Sequence, residues 1–151
     1  HERLVGSEMC IRDRFAASPV GRVLANDAAG VYGSYSGPAA GQSVEVANLQ
    51  EVTTGPAELW ATVEGTAAKA YAVRIERVTM TGTDPNRNLL IRVTDKTLLE
   101  KTGGIVQGMS GSPIVQNGRL AAVLTHVLVN DPAKGYAIFA ATMLEKADAA
   151  A

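Results

Sequence analysis

The amino-acid sequence predicts a mainly β fold, either a closed barrel or a sandwich. Short stretches with alternating apolar side chains recur along the chain, and Gly, Pro, Asn and Asp separate them at the spacing of strands and turns. The composition, 46% hydrophobic and 19% charged, is typical of a globular protein with a buried core. A length of 151 residues fits a single domain.

The first third of the chain carries weak strand signals between turns. Three stretches share this pattern: residues 21–24, 30–35 and 43–47. In the last of them, Val44 and Val46 lie on one face of an extended chain. Gly55-Pro56 is expected to break the chain before the next strand.

Three longer strands are predicted next, over residues 57–64, 70–80 and 89–94. Trp60 is expected on the outer face of the first strand. The inward positions share an apolar character and a spacing of two: Leu59, Ala61 and Val63, then Tyr71, Val73 and Ile75, then Leu89, Ile91 and Val93. This spacing predicts one buried face for each strand.

The last third mixes short helices with strands. Asp95 is well placed as the N-cap of a helical turn at residues 96–101. Asn117-Gly118 predicts a tight hairpin. The two hairpin strands are expected at residues 112–116 and 120–128. A turn at 130–132, a last strand at 135–139 and a closing helix at 140–150 follow.

Composition also excludes several classes of function. A net charge of −1 and 5% aromatic residues do not suggest a nucleic-acid partner. The single Cys10 cannot form an internal disulfide, and no Cys/His group has metal-ligand spacing, so we expect no metal and no cofactor. No apolar run is long enough for a membrane helix, and no signal peptide is visible.

Residues 1–14 do not fit the pattern of the rest. They are densely charged and lack a period of either two or 3.6. The piece from Val5 to Arg14 resembles translated sequencing-adapter sequence, and a genuine charged arm is the alternative. We interpret residues 1–14 as a non-native or disordered arm, and residues 15–151 as a domain truncated at its N-terminus.

One glycine-rich stretch could carry chemistry. Ser110 lies between Gly108 and Gly111, and apolar β-branched residues follow. Glycines beside a nucleophile let the backbone turn sharply, so that successive N–H groups point into one small space, as a tetrahedral oxyanion requires. On this geometry Gly108 and Ser110 would supply the N–H groups. An ordinary Gly-Ser turn between strands explains the short pattern equally well.

Two longer blocks carry a family resemblance. They are residues 98–118, which contain the run Gly-Met-Ser-Gly-Ser-Pro, and residues 125–132 followed by Gly135-Tyr136. Both closely resemble the SpoIVB peptidase family, and weaker similarity extends back to about Val31. The resemblance implies a chymotrypsin-like β-barrel, namely the C-terminal barrel plus part of the preceding one, with a short C-terminal helix.

The resemblance also implies a function. These proteins are serine peptidases known from endospore formation, so we expect hydrolysis of a protein substrate through an acyl-serine, outside the cytoplasm, in a sporulation-type signalling cascade. Ser110 aligns with the reactive serine of the family, and Ser112 is its local competitor. Asp95 matches the acidic member of the triad, although the N-cap role explains it equally well.

The histidine base is the missing part. The family's catalytic histidine stands in a Gly-His motif upstream, whereas this chain has only His1 and His126. Neither carries that motif, so we expect this chain to lack its base.

By analogy with several viral proteases, we expect His126 to line the specificity pocket, partly exposed and roughly 5–10 Å from Ser110 Oγ. Thr125 and, more weakly, Asn130 would line it too. A core histidine bonded to backbone groups is the alternative. The rival function is a non-catalytic domain that keeps the fold and binds an extended peptide along a strand edge.

Overall fold

Six antiparallel strands close into a barrel in the computed structural model, which describes residues 20–37 and 41–151. In chain order the strands are β1 (Gly21–Asp27), β2 (Gly30–Tyr35), β3 (Gly55–Ala61), β4 (Lys69–Val78), β5 (Leu89–Val93), β6 (Pro113–Gln116), β7 (Arg119–Leu128) and β8 (Asp131–Phe139). The helices are α1 (Lys96–Thr102) and α2 (Ala140–Ala150). The barrel order is β3-β4-β5-β8-β7-β6. The predicted mainly β barrel with a short C-terminal helix is confirmed. Residues 1–14, interpreted as an arm, lie outside the described residues.

The barrel interior is filled by the alternating positions of its strands. Leu59, Ile75, Leu89 and Ile91 are completely buried, and the other inward positions predicted for these strands are buried too, apart from the half-buried Val63, which follows β3. Trp60, on the outer face of β3, is 39% exposed. The period of two therefore predicted the burial of these strands correctly, because only one face of each strand meets the core.

The hairpin between β6 and β7 is also confirmed. Asn117 and Gly118 form its turn with φ of 52° and 76°. A type I′ turn requires positive φ at both central residues, and Asn-Gly is the pair that adopts them at the lowest cost. This hairpin sets the register of β7, which carries the candidate site at its far end.

Two strand predictions were wrong in the first half. Residues 43–47 form no strand; Val46 makes one isolated parallel bridge to Leu120, and the chain then enters a 3₁₀ turn at Leu49–Glu51. Gly55-Pro56 does not break the chain but begins β3. The carbonyl of Pro56 accepts a hydrogen bond from the Gln116 side chain, so it faces β6. The backbone nitrogen of Pro56 faces the same way, and β6 pairs there only with Glu58 and Leu59 of β3. The missing N–H of Pro56 therefore costs no ladder bond.

The predicted turn at residues 130–132 was also misplaced. Asp131 and Pro132 already belong to β8, and the turn lies at Val129-Asn130. Pro132 is tolerated in the strand because the pairing with β7 shifts register just there, between Val127 and Leu128.

A second, smaller cluster covers the outer face of β7 and β8. Val123 and Ile138 pack there against Ala29, in the turn between β1 and β2, and against Met143 of α2. Lys146 of α2 also pairs with Asp27 at 3.2 Å. These contacts attach the N-terminal hairpin to the barrel.

An ion cluster joins β4, β5 and β8 on the barrel surface. Glu76 lies 2.5 Å from Arg92 and 3.2 Å from Lys134. The hydrogen bond from Arg92, followed by the bond from Lys134, lowers the pKa of Glu76 below its ordinary 4.5, against the opposing effect of burial. A carboxyl with a depressed pKa stabilises the fold above its unfolded pKa, and this contribution is lost as the pH falls through the folded value.

Glu76→Gln should therefore weaken the acid dependence of stability. Above pH 4.5 the free energy of unfolding of the variant should be lower than that of the parent by about 1 kcal/mol or less, since the pair is partly exposed. The difference should shrink as the pH falls below 4.5. Thermal unfolding between pH 7 and pH 3 measures this, with Glu58→Gln as control, because Glu58 makes no ion pair among the described residues. Equal curves for the Glu76 variant and the parent would contradict the assignment.

Candidate active site

Two consecutive turns shape the segment from Gly103 to Ser112, here called the serine loop. The N–H of Met109 donates to Val106 O at 3.1 Å, and the N–H of Ser112 donates to Met109 O at 3.0 Å. The third residues of these turns are Gly108 and Gly111, with φ of 99° and 90°. A type II turn needs positive φ at that position, so the two glycines permit the double turn.

The serine loop is fastened to the barrel on both sides of Ser110. Gly111 N–H donates to Leu124 O at 2.7 Å, and Leu124 N–H donates to Ser112 O at 2.9 Å. On the other side, Ile105 N–H donates to Pro132 O of β8 at 2.7 Å. The side chain of Met109 is fully buried and anchors the centre of the loop. Ile105 of the loop is also buried in the core, so the loop is held in place by backbone bonds and by apolar side chains.

The N–H groups of Gly108 and Ser110 make no hydrogen bond within the part of the chain that the structure describes. The N–H of Met109, between them, is used in the first turn. Unpaired N–H groups on a constrained loop are the donors that an anion requires. The two residues that the sequence assigned to an oxyanion hole thus keep their donors available.

The two serines of the loop differ completely in access. Ser110 is exposed, and its Oγ donates to the carbonyl oxygen of Thr125 at 2.9 Å. Ser112 is 0% exposed, and its Oγ has no partner among the described residues. Solvent therefore reaches the side chain of Ser110 but not that of Ser112.

Asp95 caps α1. Its Oδ1 accepts from Leu98 N–H at 3.0 Å, and its Oδ2 accepts from Ala72 N–H of β4 at 3.2 Å. No hydrogen bond joins it to Ser110 in the described ranges. The capping role predicted from sequence is confirmed, and the role as triad acid stays a prediction.

His126 lies next to Ser110 along β7. Because Ser110 Oγ bonds to the carbonyl of the preceding residue, the Cα of His126 lies within about 6 Å of it by peptide dimensions. The side chain is exposed and makes no ion pair with a described carboxylate. Simple alternation does not hold along β7, since Val123 packs outside the barrel while Val127 packs against its core. Whether His126 lines a pocket stays a prediction.

A β-bulge at Thr125 breaks that alternation. Leu124 pairs with Ala137 and His126 pairs with Tyr136, so Thr125 is an extra residue in β7. Its Oγ1 lies 2.7 Å from Asn86 O and 3.0 Å from Tyr136 O. The side chain is thus bonded to neighbouring segments, and the carbonyl is the part of Thr125 that meets Ser110.

Asn86 was not predicted as a site residue, because it falls between the strands predicted at residues 70–80 and 89–94. Asn86 is 8% exposed, in the 3₁₀ turn Pro85–Arg87, and its Nδ2 donates to Ala28 O at 2.5 Å. The Asp84-Pro85 pair was the available signal, since Asp84 caps this turn by accepting from Asn86 N–H at 3.0 Å. That signal predicts the turn but not its contact with Thr125.

In the described residues, no three His, Cys, Asp or Glu side chains come together as metal ligands. Across the same residues, no helix is both long and apolar enough to span a membrane.

Comparison with known proteins identifies relatives. A model of the SpoIVB peptidase S55 family matches residues 6–144. None of the curated proteins matches the chain.

Among solved structures, the Rv3671c protease from M. tuberculosis in its active form is similar, with a TM-score of 0.48 and 20% identity over 83% of this chain and 56% of that one. Its inactive form has a TM-score of 0.46 and 21% identity over 83% of this chain and 66% of that one. An inactive serine-to-alanine mutant of Rv3671c from M. tuberculosis H37Rv has a TM-score of 0.47 and 20% identity over 85% of this chain and 65% of that one. The chain thus spans less than two thirds of these solved chains.

Proposed function

The chain belongs to the SpoIVB peptidase S55 family, and on this premise we propose that it is the serine peptidase domain of a protein that hydrolyses peptide bonds. The observation that carries the proposal is the exposed Ser110, on a loop whose neighbouring N–H groups are unpaired. Ser110 Oγ would attack the carbonyl carbon of the scissile bond while its proton passes to a base. The oxyanion would accept hydrogen bonds from Gly108 and Ser110 N–H.

The second half of the reaction follows from the first. The tetrahedral intermediate collapses, the C–N bond breaks, and the leaving amine takes the proton from the base. Water then attacks the acyl-Ser110 ester and releases the acid, which restores the serine hydroxyl. All of these steps are acyl transfer and proton transfer, so the proposal needs no cofactor.

We also propose that the 151-residue chain by itself turns over peptides very slowly. Ser110 Oγ donates to a backbone carbonyl, and no histidine nitrogen accepts from it within the described residues. A serine without a base loses most of its reactivity, by about 10⁴–10⁶-fold where triad members have been removed. We assign the base to a histidine in a Gly-His motif, which this chain does not contain.

Peptide hydrolysis by two forms of the protein tests this assignment. The 151-residue chain should show turnover near background, and a form extended upstream through a Gly-His motif should be faster by about 10⁴-fold or more. Replacing that histidine by alanine in the longer form should return the rate to background. Strong Ser110-dependent turnover by the short chain would make His126 or His1 the base.

By family membership we propose a protein substrate, an extracytoplasmic location and a role in a sporulation-type signalling cascade. His126 and Thr125 would contact the substrate next to the scissile bond: His126 through its exposed side chain and Thr125 through its carbonyl. Asp95 would be the triad acid only if it can leave its capping bonds to Leu98 and Ala72.

A peptide-binding domain without catalysis is the second candidate. β6 pairs with β7 only as far as Val123, and the serine loop then bonds to Leu124. Beyond Leu124, this edge of β7 presents the Thr125 carbonyl, which accepts a hydrogen bond from Ser110 Oγ. An extended peptide could add to this edge by main-chain hydrogen bonds. Binding of peptides without any acylation of Ser110, in the longer form, would favour this candidate.

A further inference from the structure

We propose that Asn86 and Thr125 are positioning residues for Ser110, linked to it by one continuous series of hydrogen bonds. The inference rests on the proposed role of Ser110 as nucleophile. The series runs from the turn between β1 and β2, through the Asn86 side chain and backbone, to the Thr125 hydroxyl and carbonyl, and ends on Ser110 Oγ.

The first step is the bulge in β7. An extra residue in a strand rotates the backbone and takes its carbonyl out of the regular ladder, and such bulges often re-aim a group beside an active site. Here the extra residue is Thr125, and its carbonyl oxygen accepts from Ser110 Oγ at 2.9 Å. The resting orientation of the Ser110 hydroxyl therefore depends on where the bulge holds this carbonyl.

The second step is the anchor that holds the bulge. The single hydroxyl hydrogen of Thr125 is shared between Asn86 O at 2.7 Å and Tyr136 O at 3.0 Å. Tyr136 belongs to β8, the neighbouring strand, and Asn86 belongs to the 3₁₀ turn before β5. An isosteric valine would keep the shape of the side chain and lose both bonds, leaving two carbonyls without this donor.

The third step fixes Asn86 itself. It is 8% exposed, and its side-chain amide donates to Ala28 O at 2.5 Å. Ala28 lies in the turn between β1 and β2, and this turn is held by Ala29, which packs against Val123 and Ile138 outside the barrel. Asn86 thus connects the N-terminal hairpin to the residue that orients the nucleophile.

Three variants test the proposal: Asn86→Ala, Thr125→Val and Thr125→Ser. The first readout is amide hydrogen exchange at Gly111 and Leu124, whose N–H groups join the serine loop to β7. The second readout is the rate of Ser110 labelling by a fluorophosphonate in the longer form. Asn86→Ala and Thr125→Val should lower both protection and labelling, the latter by about 10-fold or more. Thr125→Ser keeps the hydroxyl and should restore both.

Gln116→Ala is the matched control. Gln116 is a buried polar residue that bonds Thr53 N, Thr53 O and Pro56 O, away from the serine loop. It should lower the melting temperature while leaving protection at Gly111 and the labelling rate of folded protein unchanged. Equal losses in the Gln116 and Asn86 variants, or unchanged protection in Asn86→Ala, would overturn the proposal. Absence of labelling in the parent would refute the proposed function alone, because hydrogen exchange still tests the positioning.

Discussion

Ser110→Ala is expected to reduce peptide hydrolysis to background in the form of the protein that is active. The change removes the attacking oxygen, and loss of a triad nucleophile costs about 10⁶-fold in kcat. The fold should survive, because Ser110 is exposed and its side chain makes a single hydrogen bond. The measurement is kcat/KM for a peptide substrate, together with the melting temperature of both proteins.

Ser112→Ala is the matched control for this prediction. Its hydroxyl is completely buried and unpartnered among the described residues, so its removal should leave turnover intact. An unpaired buried hydroxyl is unfavourable, and the variant should be as stable as the parent or about 1 kcal/mol more stable. If Ser112→Ala abolished hydrolysis and Ser110→Ala did not, the assignment of the nucleophile would be wrong.

Gly104→Ala is expected to have the largest effect on the fold at the serine loop. A Cβ at this position would overlap the carbonyl oxygen of Pro132 and come within 2.6 Å of its carbonyl carbon. The φ of 132° is also one that alanine rarely adopts. Because both obstacles are backbone, we expect the free energy of unfolding to fall by roughly 3 kcal/mol or more. Chemical denaturation measures this.

The neighbouring glycine provides the control. Gly103 caps α1 with φ of 74°, and a Cβ there would meet nothing within 4 Å. Gly103→Ala should therefore cost only the left-handed strain, about 1–2 kcal/mol. Equal destabilisation by the two variants would show that the contact with Pro132 does not hold the serine loop.

Sequence periodicity predicted the parts of the fold that obey one local rule. β4 and β5 bury alternate residues such as Tyr71 and Ile91, because one face of each strand meets the core. Asp95 and Asn117-Gly118 were predictable for the same reason, since a helix cap and a type I′ turn depend on a few adjacent residues. The Gly-x-Ser-Gly pattern likewise indicated a sharp turn at Ser110, although not that two turns follow each other there.

The parts that were missed depend on distant segments. Nothing near Thr125 marks a bulge, because the extra residue exists only relative to β8. Asn86 reads as a loop residue until the turn at Ala28 is placed beside it. Residues 43–47 alternate like a strand, yet only Val46 makes a bridge, to Leu120. Local patterns cannot show which edges remain available for pairing.

The reaction of the protein with a fluorophosphonate, followed by mass spectrometry of its peptides, tests the central claim most directly. The account predicts one phosphonyl adduct, located on Ser110, in the form that carries a Gly-His motif. The adduct should be absent from Ser110→Ala and present in Ser112→Ala. An adduct on Ser112, or none on Ser110 in a form that hydrolyses peptides, would contradict the account.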